Sequence, residues 1–109
     1  MIWAVCAAYG EDIGASIKDY GPITYINHRY IYIDEIDDQG HMPHSFMHNL
    51  RRAAEKFDPE EDYLLLVGDH LQLVTFAMMV HERMLPDEDL RVLRYDRKAH
   101  GHAMVRTGT

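Results

Sequence analysis

The sequence predicts an α/β domain, and three stretches carry that prediction. The first is Tyr63-Leu64-Leu65-Leu66-Val67, an apolar run broken by Gly68-Asp69-His70. A short apolar run ended by a turn signal fits a strand covered on both faces. The second is residues 71–85, apolar on nearly every side through Leu71, Leu73, Val74, Phe76, Ala77, Met78, Met79, Val80, Met84 and Leu85. Its polar stripe is thin (Gln72, Thr75, Glu82), which predicts a helix covered on most of its surface. The third is Ile2-Trp3-Ala4-Val5-Cys6-Ala7-Ala8, a second buried strand.

The remaining elements follow in chain order. Tyr9-Gly10-Glu11-Asp12 is a turn, and Asp12 is placed to cap a short helix through about residue 20, stopped by Gly21-Pro22. Ile13, Ile17 and Tyr20 make one face of that helix. Residues 22–26 are β-rich and read as a strand, followed by a mobile or edge segment through Tyr30, Ile31, Tyr32 and Ile33. Asp34, Glu35, Asp37 and Asp38 then form an acidic loop; they lack calcium-loop spacing and its closing glutamate. Residues 43–57 are the clearest amphipathic helix. Phe46, Leu50, Ala53, Ala54 and Phe57 share one face, with His44, His48, Arg51, Arg52 and Glu55 on the other. Pro43 suits its first turn and Asp58-Pro59 ends it. Residues 90–97 alternate as an outer strand. After a turn at 98–101, residues 102–107 return as a last strand, antiparallel because the connection is short.

Strands alternating with helices predict a mostly parallel sheet with right-handed crossovers. The two buried strands belong at its centre. The expected order is 2-1-3-4, with the C-terminal strand added antiparallel at the far edge. This is a small Rossmann-like or flavodoxin-like three-layer domain, a single domain over residues 1–109. Chain direction reverses between strands 1 and 3. Open α/β sheets usually bind ligands at such a switch point, at the carboxyl ends of the strands. The candidate ligand-binding residues are therefore Tyr9, Gly10, Asp12, Gly68, Asp69 and His70.

The chain's 109 residues suffice for one core, burying roughly two-thirds of the unfolded surface. The formal net charge of -7 argues against sequence-independent binding to DNA or RNA, which needs Lys and Arg to neutralise phosphates. Eight histidines make charge and association sensitive to pH between about 5 and 7. The lone cysteine, Cys6, sits in an apolar run and reads as a buried small hydrophobe. No basic stretch of the signal-peptide kind opens the sequence, and no apolar run approaches the ~20 residues of a membrane span. The expected location is the cytoplasm.

No residue set forms a diagnostic catalytic motif. Asp69 reads as a helix cap, and the amides after it could hold an anion only in competition with Asp69 itself. There is no G-x-G-x-x-G and no phosphate-loop lysine, and no serine in a nucleophile-elbow setting. His44 and His48 stand four apart on one helix, a spacing that suits a metal, but only His41 is near as a third ligand. They read as solvated, as do His100 and His102, which could share a strand face. No metal, no cofactor and no catalytic residue is assigned. Met78, Met79 and Met84 either pack in the core or form an oligomer interface, and the edge strand is a second route to a homo-oligomer.

The pattern resembles a family of small phage-encoded proteins usually left without an assigned function. The matching pieces are Tyr9-Gly10-Glu11-Asp12 with Ala15 and Lys18-Asp19-Tyr20-Gly21, then Asp58-Pro59, Asp62-Tyr63-Leu64-Leu65-Leu66-Val67-Gly68, the apolar helix, and Leu90-Arg91-Val92-Leu93-Arg94-Tyr95-Asp96-Arg97. Residues 30–44 depart from it, being longer and more acidic than the usual connection. The resemblance implies a phage origin, hence the cytoplasm of an infected bacterial host, and this fold; it brings no catalytic residues. The expected function is that of a non-enzymatic accessory protein, for host takeover or anti-defence. It would bind a host protein or a small nucleotide-like ligand. The alternatives are a small metal-assisted hydrolase or phosphodiesterase built on Asp12, Asp69 and His70, and a virion or assembly component.

Overall fold

The computed structural model describes residues 1–7 and 17–108. Five strands, β1 (Ile2–Ala4), β2 (Ile23–Tyr25), β3 (Tyr63–Leu65), β4 (Arg91–Asp96) and β5 (Gly101–Arg106), form one sheet in the order β2-β1-β3-β4-β5. The first four are parallel neighbours, and β5 pairs antiparallel with β4 at the edge. This is the expected α/β arrangement. The two central strands are shorter than their apolar runs. Val5 and Cys6 continue beyond β1 fully buried, and Leu66, expected inside the third strand, is 42% exposed.

Among the described residues, two α-helices lie between the strands, α1 (His44–Lys56) and α2 (His70–Arg83). The connections β2 to β3 and β3 to β4 run in the same direction across the sheet, so equal handedness puts both helices on one face. There they pack over Trp3, Val5, Leu64 and Val92. Side chains of a strand alternate between faces. Ile2, Ala4, Leu65 and Leu93 therefore point the other way, where Ile17 and Tyr20 cover them. Tyr20 belongs to a 3-10 turn (Lys18–Tyr20) stopped by Gly21, whose φ of +113° suits a residue without Cβ. The helix that the sequence predicts from Asp12 otherwise lies outside the described residues.

α1 follows its sequence pattern. Phe46, Leu50, Ala53 and Ala54 are buried, with Phe57 at its end; His44, His48, Arg51, Arg52 and Glu55 are exposed. Each fully buried Leu or Phe contributes about 1.5–3 kcal/mol. α2 does not follow its pattern, and the expectation of near-complete cover is corrected. Phe76 and Val80 are buried, yet Leu71, Val74 and Met78 are exposed. Gln72, expected on the polar stripe, is fully buried. The helix covers β3 and β4 with one side and meets α1 along another, which leaves a third side open.

Candidate functional site

The carboxyl ends of β1, β2 and β3 meet at one place, where α2 begins. The parallel pairing of β1 with β2 continues past both strands: Ile26 N–H donates to Ala4 O and Asn27 N–H to Val5 O, each at 2.8 Å. This carries Asn27 into the interior beside α2. Its side chain donates to Gln72 Oε1 (2.9 Å) and to Phe46 O (3.3 Å), and accepts from Asn49 Nδ2 (2.9 Å). Gln72 Nε2 donates in turn to Arg29 O (3.0 Å) and to Asp69 Oδ2 (3.2 Å). A buried amide costs stability unless its donors and acceptors are met. Here Asn27, Gln72 and Asp69, all buried, meet one another.

Asp69 caps α2. Its Oδ1 accepts from Leu71 N–H at 3.0 Å, while Oδ2 also accepts from Ile31 N–H at 2.8 Å. Both carboxylate oxygens are thus engaged by the chain. Gly68 is buried against Cys6, and the Asp69 amide donates to the Cys6 sulfur at 3.4 Å. Burial pushes the Cys6 thiol up, opposed by that amide and helped by the Asp69 charge. His70 is exposed. Of the six residues predicted for the switch point, Gly68, Asp69 and His70 stand together at the start of α2. Tyr9, Gly10 and Asp12 lie outside the described residues.

The segment expected to be a mobile or edge piece is instead a bonded loop across this end of the sheet. Arg29 closes it with a bidentate pair to Glu35 (2.7 and 2.9 Å) while its guanidinium lies over the Phe46 and Tyr32 rings. The Arg29 hydrogen bonds hold the Glu35 carboxyl below the usual carboxylate range, aided by Tyr32 N–H. In the acidic loop, Asp37 accepts from the His41 and Gln39 amides, which hold its carboxyl low as well. Sequence reading missed Asn27, Asn49 and Gln72 because polar residues in a loop and on a helix ordinarily mark solvent. It also missed Asp62, which is buried and accepts from Trp3 Nε1 at 3.0 Å and Asp58 N–H at 2.9 Å.

The histidine pairs stand as follows. His44 and His48 stack on exposed α1 with ring centroids 6.4 Å apart. His100 and His102 do not share a strand face, because His100 belongs to the β4–β5 turn with φ +52°. No group of three or more His, Cys, Asp or Glu side chains among the described residues is placed to hold a metal ion. No described helix is long and apolar enough to cross a membrane.

A second candidate surface lies along the outside of α2. Leu71, Val74 and Met78 are respectively 44%, 59% and 61% exposed. The stripe runs into a groove of about 540 Å³ lined by Ala77, Met84 and Leu90 with His81, Glu82 and Glu88, the last also accepting from Leu85 N–H at 2.7 Å.

These features define a small α/β protein whose sheet end is closed by its own loop and whose second helix bears an open apolar side. The family model of phage Pam3 gp32-like proteins matches residues 12–107, so the chain belongs to that family. No curated protein and no solved structure matches the chain.

Proposed function

We propose that this phage protein is a non-enzymatic accessory factor that binds a host protein through the outer side of α2. The observation that carries this reading is the apolar stripe Leu71, Val74 and Met78 leading into the Met84–Leu90 groove, which Glu82 and Glu88 also line. Exposed apolar surface rimmed by polar groups marks interaction sites. The carboxylates of Glu82 and Glu88 select the occupant: an amphipathic segment with an apolar stripe and basic flanks. The switch point supports a small nucleotide-like ligand less well, because the oxygens of Asp69 and the amides of Gln72 are engaged within the chain.

The test uses a designed helical peptide of leucine and lysine, with a leucine–glutamate peptide as control. Methionine methyl signals of the labelled protein report the contact. The lysine peptide is expected to shift Met78 and Met84, and the glutamate peptide to leave them unmoved. V74Q/M78Q removes the apolar stripe without changing charge. It should abolish the shift at Met84, the reporter that remains, and alter stability by no more than about 0.5 kcal/mol, since both positions are exposed. Unchanged binding by V74Q/M78Q, or shifts confined to methionines elsewhere, overturns the reading.

A further inference from the structure

The chain's charges are sorted by position. Of eleven Lys and Arg residues, Arg91, Arg94, Arg97, Lys98 and Arg106 lie on the β4–β5 hairpin, with Asp96 as its sole carboxylate. The hairpin is thus +4 and the rest of the molecule -11, which together give the chain's net charge of -7. Arg94, Arg97, Lys98 and His100 are exposed around the hairpin tip. Tyr95 is 52% exposed and meets the edge of the His102 ring, centroids 5.5 Å apart, across the β4–β5 register. Two of the cations are partly committed at the root: Arg91 lies over the Tyr63 ring, and Arg106 is 3.7 Å from Asp89. Fields from the acidic body fade over about 8–10 Å in physiological salt, so the tip acts largely on its own account.

We propose that the hairpin tip binds single-stranded nucleic acid, with Arg97 and Lys98 of the turn on phosphates and Tyr95 as a stacking platform for an unpaired base; Arg94, next to Tyr95 in β4, points to the opposite face. An exposed aromatic ring next to a turn that carries two exposed cations suits a strand that offers both charge and π-faces. An acidic peptide would use the cations and leave Tyr95 idle. A duplex would keep its bases out of reach of the ring. Two copies joined through β5 would bring like charges together, which disfavours that use of the edge.

The test is fluorescence anisotropy with a labelled twelve-residue oligothymidine, against a duplex of equal length and polyglutamate as competitors. With two phosphates engaged, affinity is expected to fall about sevenfold between 50 and 200 mM salt. Y95A should weaken oligothymidine binding about tenfold, and R97E/K98E by more than that, both with unchanged far-UV circular dichroism. No binding at 50 mM salt overturns the proposal. Displacement by polyglutamate or duplex as readily as by unlabelled oligothymidine, together with full binding by Y95A, also overturns it in favour of a general polyanion contact. The α2 surface is not involved, so V74Q/M78Q should bind the oligonucleotide as wild type does.

Discussion

Gly68 stands so close to Cys6 that a Cβ at residue 68 would lie 2.6 Å from the Cys6 carbonyl oxygen and 2.8 Å from its sulfur. The same glycine has φ +87°, a conformation that L side chains rarely adopt. Here β3 hands over to α2 directly against the end of β1. The G68A variant should lose more than about 3 kcal/mol in urea unfolding, from backbone strain plus overpacking. C6A/G68A should recover little of that loss. It removes the sulfur, but the carbonyl oxygen stays where it is. Full recovery in the double variant would mean that the side chain, and not the backbone, sets the approach.

The Asn27–Gln72 amide pair makes a second prediction. Q72A should cost about 2–4 kcal/mol, because it leaves buried groups of Asn27, Arg29 and Asp69 short of partners and opens a cavity. In a double-mutant cycle with N27A, the two changes should fall short of additivity by about 0.5–3 kcal/mol. Additive losses would show that the loop and helix are held by other contacts.

That pair also shows what was legible in the sequence and what was not. Asn27 and Gln72 are 45 positions apart, and each alone looks like a solvated amide. Only the sheet order brings them together, through the parallel ladder that carries Asn27 past Val5. By contrast, Phe46, Leu50 and Ala53 declare the buried side of α1 by spacing, because their opposite side is charged. α2 carries no such contrast. Val74 on its open side and Phe76 on its buried side are both apolar, so pattern could not separate them. The switch point was legible as a position. Its closure by residues 27–35 was not, since it rests on backbone groups such as Ile31 N–H, which have no sequence signature.

Asp69 allows the capping role to be separated from the loop-holding role. D69N can keep an oxygen on Leu71 N–H, but its amide nitrogen then faces two donors, Ile31 N–H and Gln72 Nε2. D69N should therefore destabilise by about 1–3 kcal/mol and speed hydrogen exchange at Ile31 more than at Leu71. D69A should lose protection at both. Equal protection at Ile31 in wild type and D69N would place the loop's anchor elsewhere.

The Arg29–Glu35 clamp gives an acid-side prediction. Its sign follows from the lowered Glu35 carboxyl. A carboxyl lower in the folded chain than in the unfolded one adds stability above its unfolded pKa, about 4.3. That contribution is lost as pH falls through the folded value. Wild type and E35Q should therefore differ most near neutral pH and converge as the solution is acidified below the carboxylate range. High salt should narrow the gap, since the pair is partly exposed. A gap that stays constant down to pH 2 would mean that the charge of Glu35 adds nothing.

Cys6 gives the alkaline counterpart. Its thiol is raised by burial, so the unfolded chain ionises first as pH climbs. The sign is opposite to that of Glu35. Stability linked to the neutral thiol is intact below the unfolded thiol pKa of about 8.5 and declines as pH rises above it. C6A should cost stability at neutral pH by removing a fully buried side chain. Between about pH 8 and 10 its stability should decline less steeply than that of wild type. Every other side chain is common to both proteins, so the difference between the two curves isolates the thiol. Thiol-specific reagents give an independent reading. Labelling of Cys6 should be slow in the native protein and track unfolding, because the neutral, buried sulfur must first be exposed. Rapid native labelling near pH 7 would show that the β1–α2 junction opens locally.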